Sequence, residues 1–156
     1  MALTPLDEII AQVKTHEGWR GFVYDDATGH AIRQGSIVKG HPTIGWGFCL
    51  SADRGSALPK TIGELWLHDL IAERAVQVRT RLPWTVQSLN TVRFGVLVEM
   101  AYQMGIGGLL EFERFLTFAE DGQYERAAEA MLDSRWAMRQ TPKRAHELAQ
   151  VFELGK

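Results

Sequence analysis

A single cysteine, Cys49, stands among the 156 residues, so no intramolecular disulfide can close and nothing in the fold demands an oxidising compartment. Positive charge is not in excess. Against 17 Lys and Arg stand 19 Asp and Glu, a formal net charge of −2, whereas phosphate recognition normally shows a clear basic surplus. That balance argues against a nucleic-acid partner, and any anionic target has to be met by a local patch. No apolar run is long enough to cross a bilayer, and the opening MALTPLDEIIAQVKTHEG carries acids among its apolar residues, with neither an h-region nor a small-residue cleavage site. Neither a membrane span nor a secretory signal is expected. His16, His30, His41, His68 and His146 show no HExxH or other metal-ligand spacing, which argues against a zinc amidase; no metal or cofactor is expected. The glycines of Met104-Gly105-Ile106-Gly107-Gly108 lack the Lys-Ser/Thr and the preceding strand of a phosphate loop, and read as a helix cap and turn. Internal repeats and biased tracts are missing too, which leaves one ordinary globular domain over residues 1–156.

What is present is mostly helical periodicity. Leu6, Ile9, Ile10 and Val13 share one face of an opening helix. Thr4 suits its N-cap, Pro5 its first position, Asp7 a capping box and Gly18 its end, which places Glu17 at the helix C-terminus. From Trp19 to about Leu50, β-prone pieces such as Phe22-Val23-Tyr24 and Thr43-Ile44-Gly45-Trp46 alternate with glycine-bearing turns, the pattern of a small antiparallel sheet. After Pro59, Thr61 and Glu64 form a capping box for a long helix to about Arg81. A very apolar helix follows from Val92 to Met104, closed by Gly105, and then shorter helices at about 109–120, 123–133 and 142–152. The fold class expected is α+β, mostly helical: a helix and sheet lobe over about 17–60, a linking helix over about 61–81, and a helical bundle over about 82–156. Such a layout leaves a groove between sheet and bundle.

Glycosidic hydrolysis needs a protonated carboxyl for the leaving oxygen and a second carboxylate to activate water or to attack. Glu17 meets the negative end of a helix macrodipole, an environment suited to a carboxyl that works protonated. Asp26, in the adjoining hairpin, lacks that influence. Asp25 is its rival, although strand alternation points the two to opposite faces.

The run His16-Glu17-Gly18-Trp19-Arg20-Gly21-Phe22-Val23-Tyr24-Asp25-Asp26, followed by Pro42-Thr43-Ile44-Gly45-Trp46-Gly47, resembles the active-site region of the T4-type phage lysozymes, glycoside hydrolase family 24. Two further stretches are similar to the same family: Met100-Ala101-Tyr102-Gln103-Met104-Gly105, and Ser134-Arg135-Trp136 with Gln140-Thr141-Pro142-Lys143-Arg144-Ala145. The resemblance implies a lysozyme-like fold and an inverting muramidase acting between N-acetylmuramic acid and N-acetylglucosamine of peptidoglycan. It makes Glu17 the general acid, lets Asp26 and Thr43 position the attacking water, and has Arg144 pair with the acid. Arg144 has an equal alternative in pinning the last helix to the first. Tyr102 and Gln103 are candidate saccharide contacts, with core packing the alternative for Tyr102. The insertion Ala27 to Pro42 departs from the family's short spacing and reads as a longer hairpin with Arg33, Lys39 and two histidines exposed.

Two other functions stay open: a lytic transglycosylase, which needs only a lone acid, and a non-catalytic peptidoglycan-binding protein on the same fold. As partners, glycan strands are expected, together with weak contact of the basic stretch Arg135 to His146 with an anionic outer membrane. The protein is expected to act as a monomer. The family implies synthesis in a phage-infected cytoplasm and holin-dependent release to the wall.

Overall fold

The computed structural model describes residues 5–51, 53 and 57–156, without the side chains of residues 5–8. The fold is α+β and mostly helical, with one small antiparallel sheet of three strands. It divides into two compact units, Met1–Lys60 and Thr61–Lys156, a boundary that falls at the start of the long helix.

In the first unit, helix α1 (Pro5–Glu17) ends where Gly18 turns to φ 66°. A left-handed residue at this position stops the helix, so Glu17 is its last residue, as the glycine predicts. The expected N-cap, Thr4, lies outside the described residues. Strands β1 (Arg20–Asp25), β2 (Pro42–Gly45) and β3 (Phe48–Cys49) then pair in that order. Tyr24 stands opposite Thr43 and Thr43 opposite Cys49, so Thr43 occupies the central strand. The register between β1 and β2 shifts between Arg20 and Tyr24.

The insertion connects β1 to β2 as a long antiparallel hairpin, but its ladder does not extend into residues 27–41. It first doubles back along the outer edge of β1, where Asp25 N–H donates to His30 O (2.9 Å) and Ile32 N–H to Val23 O (2.9 Å). Only the Tyr24–Ala31 bridge is strand-like there. The physical reason is composition: residues 33–41 carry no alternating apolar face to hold a ladder, so the loop closes on polar contacts instead.

In the second unit, α2 (Lys60–Arg81) begins one residue before the expected cap, putting Thr61 inside its first turn. A short helix α3 (Thr85–Ser88) leads to α4 (Thr91–Leu110), which Asn90 caps by accepting from Arg93 N–H at 3.0 Å. Gly105, at φ 77° and ψ 162°, closes the apolar stretch as expected, but a further helical turn runs on to Leu110. As a result α5 (Glu113–Glu120) starts later than the sequence pattern suggests. Helix α6 (Tyr124–Leu132), a π-helical turn (Trp136–Gln140) and α7 (Pro142–Leu154) complete the unit. Among the described residues no helix is long and apolar enough to cross a membrane.

The core of this unit joins Leu97, Met100, Leu109, Phe115, Met131 and Phe152, all essentially inaccessible to solvent. Phe115 and Phe152 meet edge to face with centroids 4.9 Å apart. Arg93 clasps the far end of α7: Nε donates to Phe152 O (2.7 Å) and an Nη to Glu153 O (2.8 Å), which satisfies carbonyls left open at a helix C-terminus. Phe152→Ala should cost about 3 to 5 kcal/mol, the usual range for emptying an aromatic site in a close-packed core. The denaturant midpoint measures it, and a loss under about 1 kcal/mol would mean that the core collapses around the gap.

Candidate active site

Glu17, Asp26 and Thr43 all belong to the first unit, while Tyr102, Gln103 and Arg144 belong to the second.

The site is organised by a carboxylate that the sequence argument left as a rival. Asp25 is 3% exposed, and its two oxygens accept backbone N–H groups from Lys39 (2.8 Å), Gly40 (2.9 Å) and Ala27 (3.0 Å). The N–H of Lys39 is the main reason its carboxyl titrates below the ordinary 3.8, against the opposing effect of burial. Asp25 is therefore committed to holding the loop. Asp26, the first residue past the strand, turns outward, and its side chain is 41% exposed.

Asp26 is held on both oxygens by one residue. The His41 N–H donates to Oδ1 at 2.6 Å, and His41 Nδ1 lies 3.3 Å from Oδ2. The Asp26 carboxyl also titrates below its ordinary value, chiefly through the His41 N–H, with the His41 side chain adding to it and nearby Asp25 opposing. Gly40 sits too close for any side chain: a Cβ there would collide with Asp26 Oδ1 and come 2.7 Å from Ala27 N. Thr43 is 3% exposed, and its hydroxyl donates to His41 O at 3.1 Å, which leaves only its lone pairs for another partner.

Glu17 is exposed and lies against the turn that leaves β2. Gly47, at φ 72°, would with a Cβ approach Glu17 Oε2 to 2.7 Å. The four-residue β2 thus has Asp26 at its beginning and Glu17 beyond its end. Trp19, 63% exposed, tilts against Trp46 with centroids 4.5 Å apart, and Lys14 Nζ stands 4.8 Å from the Trp46 ring.

Of the two histidines expected to be exposed in the insertion, only His30 is; the His41 side chain is 25% exposed and faces Asp26. Sequence reasoning missed His41, Gly40 and Gly47 as site residues. The signal for His41 was its place two residues before Thr43, but nothing in one chain marks which way a loop side chain turns.

In the second unit Tyr102 is 42% exposed on α4. Gln103 Nε2 donates to Thr141 Oγ1 at 3.3 Å, while its Oε1 is buried with no hydrogen-bond partner. Thr141 keeps its expected place before α7 but makes no side-chain cap. Arg144 Nε is 3.8 Å from Glu99 of α4 and Lys143 Nζ 4.0 Å from Glu147 one turn along α7, so these acids offset part of the positive charge of the basic stretch. No cluster of metal-ligating side chains occurs among the described residues.

A model of the phage lysozyme family matches residues 14–149. Probable T4-type lysozyme 1 of Dictyostelium discoideum is 26% identical over 155 residues, which cover 95% of this chain and 88% of that protein. The pre-baseplate central spike protein Gp5 of Enterobacteria phage T4 is 28% identical over 142 residues, 76% of this chain but 24% of that much longer protein. Probable T4-type lysozyme 2 of Dictyostelium discoideum is 29% identical over 85 residues, 54% of this chain and 49% of its own length.

The loop contribution of Asp25 has a definite pH signature. A carboxyl held below its ordinary value contributes fully above 3.8, and the contribution disappears as the pH falls through the lowered folded value. Asp25→Asn should therefore lower the melting temperature at pH 7 by several degrees, with the gap to wild type closing on acidification below 3.8. A gap that stays constant over the whole range would mean that the ionised carboxylate is not what holds the loop.

Proposed function

We propose, from the premise that the chain belongs to the phage lysozyme family, that it is an endolysin in which Glu17 is the general acid and Asp26 and Thr43 position the attacking water. Membership makes it a glycoside hydrolase of peptidoglycan. The assignment of residues and of a phage lysis role is our reading. In it, Glu17 delivers its proton to the glycosidic oxygen, the bond from that oxygen to the anomeric carbon breaks, and water attacks the same carbon from the opposite face. Asp26 takes the proton that the water loses. The balance is one water consumed and two free hydroxyls formed, with inversion at the anomeric carbon.

The single observation that carries this reading is the pairing of two unlike carboxylates with the two ends of one short strand, the partly exposed Asp26 gripped by His41 at one and the exposed Glu17 against Gly47 at the other. Asp25 supports it by elimination, since its oxygens are occupied by backbone donors. Thr43 contributes hydroxyl lone pairs, its proton being engaged by His41 O. On α4, the exposed Tyr102 ring is assigned to stacking on saccharide, and Gln103 to a saccharide hydrogen bond made when its amide, whose Oε1 is buried and unpartnered, turns outward. Release to the wall is assigned to a holin pore of the infected host.

Glu17→Gln should reduce peptidoglycan hydrolysis by about a hundredfold to ten-thousandfold, the usual contribution of acid–base catalysis, while circular dichroism and melting stay at wild type. Mass spectrometry of the released muropeptides should find hydrated reducing ends; anhydro ends would replace the water-based reading by a lytic transglycosylase. Gly47→Ala forces a left-handed alanine and displaces the acid, so its loss of kcat, about a hundredfold for a misplacement near 1 Å, should exceed what its stability loss explains. Unchanged kcat in a folded Gly47→Ala protein would separate Glu17 from the turn.

A further inference from the structure

His41 touches both residues to which water handling is assigned. Its N–H and Nδ1 meet the two oxygens of Asp26, and its carbonyl accepts from Asp26 N–H at 3.1 Å and from the Thr43 hydroxyl at 3.1 Å. On the far side of the ring, Nε2 lies 3.9 Å from Asp53 Oδ2.

We propose that His41 is the positioning residue of Asp26, its Nδ1–H locking the carboxylate rotamer so that the remaining lone pairs stay turned to the attacking water. The inference rests on the assignment of Asp26 made above. A side chain as exposed as Asp26 ordinarily samples several staggered rotamers, and a terminal carboxyl rotates broadly about its last bond. One donor on each oxygen removes both freedoms. An ionised carboxylate can only accept, so the contact at Oδ2 attracts only when Nδ1 carries hydrogen. Asp53, at 3.9 Å from Nε2, is beyond hydrogen-bond reach, so Asp26 at 3.3 Å from Nδ1 is the nearer acceptor and favours the Nδ1–H form. The backbone half of the grip survives any substitution at 41 other than proline; the imidazole half does not. That division makes the side-chain role separable from the fold.

The chemistry also distinguishes two conservative replacements. The amide nitrogen of Asn reaches about where Nδ1 stands, whereas that of Gln extends toward Nε2. The test measures kcat, KM and melting temperature for His41→Ala, His41→Asn, His41→Gln and Asp26→Asn on a soluble peptidoglycan fragment. Expected are a fall in kcat of about tenfold or more for Ala and Gln, KM within about twofold of wild type, and recovery by Asn to within about threefold, as for groups that orient a catalytic side chain without touching substrate. A long-range proton–nitrogen spectrum of the wild type should show Nδ1 of His41 protonated at neutral pH.

Wild-type kcat in His41→Ala beside an inactive Asp26→Asn would overturn this inference alone. Wild-type kcat in Asp26→Asn would overturn the assignment of Asp26 and this inference with it. Equal losses in all three His41 variants that track the folded fraction, or an imidazole protonated only at Nε2, would likewise overturn it.

Discussion

Three backbone N–H groups from both ends of one loop converge on the Asp25 carboxylate, and the local geometry of the first unit follows from that convergence. A strand of four residues and one of two provide little ladder to hold a long connection in place. The loop has little apolar surface to bury: Ile37 is almost fully exposed, and Val38 is exposed as well. Hydrogen bonds to an ionised acceptor are about twice as strong as neutral ones, and such bonds are what the loop has in place of a core. With Lys39 and Gly40 pinned, His41 can fall only beside Asp26, and the chain enters β2 with Thr43 turned inward.

The same arrangement accounts for the division of labour between adjacent acids. Asp25 is the last residue of β1 and Asp26 the first beyond it, and the one is buried among donors while the other faces outward. The glycines complete the picture by what they omit. At Gly40 and Gly47 the backbone passes so close to Asp26 and Glu17 that a methyl group would move the carboxylate or the chain. Within the first unit, the backbone of Gly47 lies against Glu17, and the backbone and ring of His41 meet Asp26.

The helical unit is built on the opposite principle. Its order comes from a dry core of Leu, Met and Phe and from helix ends tied by side chains, as Asn90 and Arg93 tie α4 to the last carbonyls of α7. Buried polar atoms left without partners there among the described residues, Arg74 Nε, Gln103 Oε1 and Trp136 Nε1, stand out against that background.

Local signals were enough to read much of this from residues alone. Gly18 ends α1 at Glu17, Gly105 breaks the apolar helix, and Pro142 opens the last one, because helix-end signals and periodicity act over a turn or two of chain. Where such signals were ambiguous the boundaries moved, as at Leu109–Leu110, which continue α4 rather than begin α5. Sequence by itself determined the kinds of element, their order, and the offset that separates Glu17 from Asp26. Only the tertiary structure decided that Asp25 binds the loop, that Thr43 gives its proton to a carbonyl, and that His41 turns its ring to a carboxylate fifteen residues away. Those facts depend on donors and acceptors far apart in the chain, and no periodicity records which of them will meet.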